Sequence, residues 1–113
     1  MERRRSPRMN VRLPLNVVSE GVSLTGTTVN LSVTGACVLV NGHLEEFSSV
    51  ALSLELHVPV EEKLEVFDVT LPGVVVRAET AEDRAVIAVM FQHLPLESEW
   101  ALSKFILENI GDM

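Results

Sequence analysis

For most of this chain, apolar and polar residues trade places at every second position; only near the end does the spacing lengthen. Val11, Leu13, Leu15 and Val17 alternate with Arg12, Pro14, Asn16 and Val18, the period of a half-buried strand. Pro14 has no N–H to give to a ladder, which predicts an edge position or a bulge there. Glu20-Gly21 turns the chain, and residues 23–31, rich in Thr and Val, read as the next strand. Thr34-Gly35 predicts a tight turn into Ala36-Cys37-Val38-Leu39-Val40. That unbroken apolar run predicts a strand covered on both faces, stopped by Asn41-Gly42.

The clearest strand is residues 50–58. Val50, Leu52, Leu54, Leu56 and Val58 point one way, and Ala51, Ser53, Glu55 and His57 the other. At about 1.5–3 kcal/mol for each fully buried large aliphatic side chain, that face is a major part of the core. Residues 59–63 read as a loop. Residues 64–71 and 74–79 are extended pieces parted by Pro72-Gly73, which is either a turn or a bend within one long strand. Residues 84–91 complete the set, with Ala85, Ile87, Val89 and Phe91 on one face. In the tail the period changes: Trp100, Leu102, Phe105, Ile106 and Ile110 recur at helical spacing, Glu97 and Glu99 suit the helix N-terminus, and Gly111 suits its C-cap. Six or seven strands and one C-terminal helix predict a small all-β antiparallel barrel, plugged or flanked by that helix.

Composition narrows the function. A chain of 113 residues with 47% hydrophobic residues is one folded domain. No apolar run approaches the roughly 18 residues of a membrane span, so no membrane insertion is expected, and no secretory signal is visible at the N-terminus. Cys37 is the single cysteine, which excludes an internal disulfide and fits a cytoplasmic setting; its place in an apolar run predicts a buried, inert thiol. His43, His57 and His93 are scattered without metal-ligand spacing, and Glu45-Glu46 and Glu61-Glu62 fall in loops, so neither a metal, a cofactor nor an enzyme is expected. Asn30-Leu31-Ser32 matches a glycosylation sequon, which carries no weight without a secretory signal.

Charge is unevenly placed. Residues 1–12 hold five arginines against Glu2, a balance of +4; the rest holds four basic residues against 15 carboxylates, a balance of −11. So acidic a body argues against binding DNA or RNA along a broad basic face. Any anion must be met by the arm, residues 1–9, which have no apolar periodicity and are expected to be flexible. Each guanidinium is a planar fork that fits a phosphate or the Hoogsteen edge of guanine. Arg4 and Arg8, four residues apart across Pro7, could span a ligand about 10 Å long at about 3.3 Å per extended residue. Asn30 and Ser32 would add an amide and a hydroxyl, and Gly35 would let backbone come close. Each also has a plainer use: arginine-rich ends are often disordered, Asn and Ser make turns, and Gly35 can serve a positive φ.

Arg4-Arg5-Ser6-Pro7-Arg8 resembles the Arg-x-x-x-Arg arm of PilZ domains, and Asn30-Leu31-Ser32-Val33-Thr34-Gly35 resembles their Asp/Asn-x-Ser-x-x-Gly motif. Motif order, spacing, strand number and closing helix are similar to that family over essentially the whole chain. The resemblance implies a six-stranded, Greek-key-like barrel over residues 10–113, with its helix at about 97–110, and a ligand-clasping arm at 1–9. It implies a bacterial, non-enzymatic receptor for cyclic di-GMP that passes the signal to a downstream effector protein. Arg4 and Arg8 would clasp phosphate and a guanine Hoogsteen edge, with Arg5 beside them as an accessory contact. Asn30 and Ser32 would meet the other guanine and the nearby phosphate, and Gly35 would shape the turn. Asn30 stands where many members carry Asp, which keeps an acceptor and loses a charge. The alternative is a PilZ-like interaction module that works without nucleotide. A barrel for single-stranded nucleic acid would want stacking aromatics, and the chain has no Tyr.

Overall fold

The alternating stretches become six strands and the tail one helix in the computed structural model of the chain, which describes residues 7–110. In chain order these are β1 (Pro14–Ser19), β2 (Val22–Leu31), β3 (Gly35–Val40), β4 (Ser49–Val60), β5 (Lys63–Ala81), β6 (Arg84–Phe91) and α1 (Leu96–Ile110). All pairings are antiparallel, and the sheet closes in the order β1-β2-β3-β6-β5-β4. Three strands in succession followed by a β4 that returns beside β1 is the Greek-key arrangement.

Burial follows the two-residue period. On β4, Val50, Leu52, Leu54, Leu56 and Val58 are all buried, while Ser53, Glu55 and His57 face water. On β3 the expectation of two covered faces fails. Ala36, Val38 and Val40 point inward, but Cys37 and Leu39 are only half-buried on the outer wall. The cause is the position of α1, which packs on β4 and β5 and leaves the β3 side of the barrel uncovered. Cys37 is therefore not the deeply buried thiol its neighbours suggest.

Both prolines with predicted consequences sit where a neighbouring strand is missing on one side. Closure gives β1 neighbours on both sides along most of its length, but β4 does not reach Pro14, which therefore lies at a local edge, as expected, and not in a bulge. It is the first residue of β1, paired with Thr27, and β4 joins β1 only from Asn16 onward. Of the two readings of Pro72-Gly73, the one long strand holds and the turn does not: β5 runs unbroken for 19 residues. Its pairing with β6 begins at Gly73, and the Pro72 carbonyl accepts from the Gln92 N–H at 2.9 Å, so the proline's missing N–H falls where β6 has already ended.

β4 and β5 outrun their neighbours. β1 meets β4 only at Ala51, Leu52 and Ser53, and β6 stops at Gly73, so residues 54–60 and 63–72 continue as a two-stranded ribbon. Glu61 and Glu62, with φ of 50° and 70°, make its two-residue turn. α1 lies under this ribbon with Ser98, Ala101, Leu102, Phe105 and Ile106 buried. Trp100, expected on that apolar face, is instead 47% exposed and leans on Phe67 with ring centroids 5.5 Å apart. Gly111, the expected C-cap, lies outside the described residues.

Candidate functional site

The second motif begins where β2 is distorted. The register between β2 and β3 shifts between Thr28 and Asn30, so Val29 is an extra residue on β2. Thr28 stays inside, fully buried opposite Val38, while Asn30 emerges opposite Cys37 on the outer wall. Without the bulge, Thr28 and Asn30 would lie on the same face.

The N-terminal segment is laid along this distorted edge. The Met9 N–H donates to the Leu31 carbonyl at 2.8 Å, and the Leu31 N–H returns a bond to Met9 at 2.9 Å. The Thr28 N–H donates to the Leu13 carbonyl, and the Thr28 hydroxyl accepts from the Leu13 N–H at 2.8 Å while donating to the Val11 carbonyl. Met9, Val11 and Leu13 also pack against the core. The expectation that residues 1–9 hold no apolar anchor is thus corrected at Met9. Residues 1–6, with Arg4 and Arg5, lie outside the described residues.

This strap carries Arg8 to the first residue of the second motif. Arg8 Nη1 donates to Asn30 Oδ1 at 2.8 Å on the exposed surface. A guanidinium has five N–H donors, so most remain for another acceptor. Because Asn30 is neutral, Arg8 keeps its charge uncompensated by this neighbour.

From Asn30 the chain turns through a hydroxyl-centred loop. Ser32 Oγ accepts from the N–H groups of Thr34 and Gly35, both at 3.1 Å, and lies 3.2 Å from the Gly35 carbonyl. The Ser32 N–H donates to that same carbonyl at 2.9 Å. Ser32 is 1% exposed. Its hydroxyl holds the turn, which is a different use from the ligand contact expected of it. The Thr34 carbonyl accepts from Phe91, fastening the turn to β6. Gly35 has no positive φ; Gly21 and Gly42 do. Its need for glycine is steric, since a Cβ there would strike the Val89 carbonyl oxygen of β6.

Of the sequence-derived candidates, the structure therefore brings Arg8, Asn30, Ser32 and Gly35 to one end of the barrel. Thr28 and Met9, which set the strap, were missed; a threonine at an inward strand position was the available signal for the first. A surface groove of about 520 Å³ lies elsewhere, where β1 parts from β4, and none of the four candidates lines it. Among the described residues there is no group of three His, Cys, Asp or Glu side chains arranged to hold a metal ion.

Comparison with known structures agrees with this architecture. The chain superposes over its full length on the Bacillus subtilis inhibitor of motility MotI/DgrA, with a TM-score of 0.71 and 18% identity, spanning about half (54%) of that protein. It matches the PilZ domain of CeSA from a cellulose-synthesizing bacterium with a TM-score of 0.59 and 22% identity, over 91% of this chain and 99% of that one. For the PilZ domain of Escherichia coli YcgR, solved with c-di-GMP, the TM-score is 0.65 at 15% identity, over 97% of this chain and 95% of that one. At such identities the likeness is one of fold. No curated protein sequence matches the chain. The family model of the PilZ domain matches residues 2–108, so the chain belongs to the PilZ domain family.

Proposed function

We propose that this domain is a cytoplasmic, non-enzymatic receptor for cyclic di-GMP that passes its state to an effector protein. The observation that carries the reading is the 2.8 Å bond from Arg8 to Asn30. It joins the last residue of the arginine motif to the first residue of the second motif, as a single shared ligand site requires. The ligand offers two phosphates and two guanine edges, the chemistry that arginine forks fit. Arg8 faces a neutral partner and has donors to spare. Arg4 and Arg5 would close from the other side of Pro7. Asn30 offers its amide to a guanine edge, while Ser32 and Gly35 act by holding the turn.

Met9 is the fixed point of the clasp, because its two backbone bonds to Leu31 tie the strap to β2. Ordering of the arm by ligand would therefore be confined to residues before Met9, and would change the surface at this end of the barrel. The test is calorimetric titration of the purified domain with cyclic di-GMP, with GTP and cyclic di-AMP as controls. Saturable binding of cyclic di-GMP alone supports the reading, and absence of binding rejects it.

A further inference from the structure

Among the described residues, the ribbon formed by β4 and β5 has two sides without a neighbouring strand, and they are not equivalent. On the β5 side, the Thr70 N–H donates to Ser98 Oγ of α1 at 3.2 Å, and the Pro72 carbonyl accepts from Gln92. Both groups therefore point away from β4. Backbone groups of a strand alternate sides, so those of Leu64, Val66 and Asp68 point the same way. Among the described residues they meet no backbone or side-chain partner. On the β4 side the outward set is Glu55, His57 and Pro59, and Pro59 has no N–H to offer. The β4 edge is blunted by proline and the β5 edge is not.

The β5 edge also carries exposed apolar side chains. Leu64 is 65% and Val66 54% exposed, on the face opposite α1. Single exposed aliphatics are ordinary, but two at alternate positions of an unpaired strand edge make a template for another strand.

We propose that this edge, at Leu64, Val66 and Asp68, is a strand-addition site for a partner protein that presents a basic, extended segment. Charge selects the occupant. Glu61, Glu62, Glu65 and Asp68 surround the edge, with Lys63 the one basic residue of the segment. A second copy pairing antiparallel through the same edge would set these carboxylates against their own counterparts. Nucleic acid and anionic lipid are repelled for the same reason. A segment with arginine or lysine alternating with apolar residues meets the backbone, the aliphatic pair and the carboxylates together. The inference stands apart from nucleotide binding.

The test uses the full chain, ¹⁵N-labelled, and a synthetic peptide in which three arginines alternate with two valines. The controls are the same peptide with one valine replaced by proline, and one with glutamates in place of the arginines. The expected result is saturable binding of the basic peptide, with hydrogen exchange at the Leu64, Val66 and Asp68 amides slowed at least tenfold. Both controls should bind at least tenfold more weakly. Val66→Pro removes one outward N–H while leaving the β4–β5 bonds in place, and should cut affinity at least tenfold. Glu65→Lys with Asp68→Lys, at two exposed positions, is the second variant and should do the same if Val66→Pro does not fold. Equal affinity for the proline peptide, or slowed exchange elsewhere on the domain, would overturn the proposal in favour of charge attraction alone. Tighter peptide binding by a chain lacking residues 1–6 would identify its own arm as the occupant. Slowing of the same amides with protein concentration, without peptide, would identify a second copy. Either result also overturns it.

Discussion

Arg8 and Asn30, 22 residues apart in sequence, are joined by a 2.8 Å bond between guanidinium and amide oxygen. That contact depends on two features of the backbone rather than of side chains: the Val29 bulge, which turns Asn30 outward, and the Met9–Leu31 bridge, which brings Arg8 alongside. The candidate site is thus built by backbone register before any side chain meets a ligand.

Replacing Arg8 by Ala should abolish most ligand affinity and leave the fold intact. A hydrogen bond to a charged group contributes roughly 1.5–3 kcal/mol, and a guanidinium can make two to one phosphate or guanine edge. Their loss corresponds to about two to four orders of magnitude in Kd. Arg8 is exposed, so the thermal unfolding midpoint should not move. Calorimetry and circular dichroism on the same preparation check both halves.

Ser32→Ala acts through the turn. Two N–H groups, a part-buried one on Thr34 and a buried one on Gly35, lose their shared acceptor. Leaving the buried Gly35 donor unsatisfied costs about 1–3 kcal/mol. Urea denaturation should show a loss of that size, with weaker cyclic di-GMP binding following from a displaced turn. Wild-type stability in this variant would mean that the hydroxyl is not what holds residues 32–35.

Gly35→Val should be more damaging to the fold. Its Cβ would be driven into the Val89 carbonyl across the β3–β6 ladder, where Gly35 pairs with Met90. Overpacking of this kind costs about 1–3 kcal/mol or more. Denaturant unfolding should therefore shift to lower urea, and a variant as stable as the parent would contradict the close approach.

Thr28→Val keeps the shape of a fully buried side chain and deletes the hydroxyl that bonds Leu13 and Val11. Amide exchange at Leu13 should accelerate at least tenfold. Ligand affinity should fall although residue 28 touches no ligand, because the strap that delivers Arg8 is loosened. Unchanged exchange at Leu13 would show that the strap is held by its backbone bonds alone.

These residues also show where the sequence was readable. β4 could be read directly because each inward position is aliphatic and each outward one polar or small, matching the single period of a strand with one buried face. The tie between the two motifs was readable as residue types but not as geometry, since a bulge at Val29 leaves no compositional mark. The length of β5 stayed open between a turn and one long strand because Pro72-Gly73 ordinarily ends a strand. Here the proline's missing N–H falls beyond the end of β6, a fact of the neighbour rather than of β5. Cys37 and Leu39 misled for a similar reason: an apolar run predicts two covered faces only if something lies over the outer one, and α1 lies over β4 and β5 instead. Ser32 announced a polar contact but gave no sign that the turn itself would consume it.

The central claim is that Arg8 and the Asn30–Gly35 turn form one site for cyclic di-GMP. Isothermal titration of the wild-type domain and of Arg8→Ala with cyclic di-GMP, alongside cyclic di-AMP and GTP, tests it most directly. The account predicts saturable binding of cyclic di-GMP by the wild type, none of either control nucleotide, and a loss of at least about a hundredfold in Arg8→Ala. Equal affinity in the two proteins, or equal affinity for the three nucleotides, would contradict it.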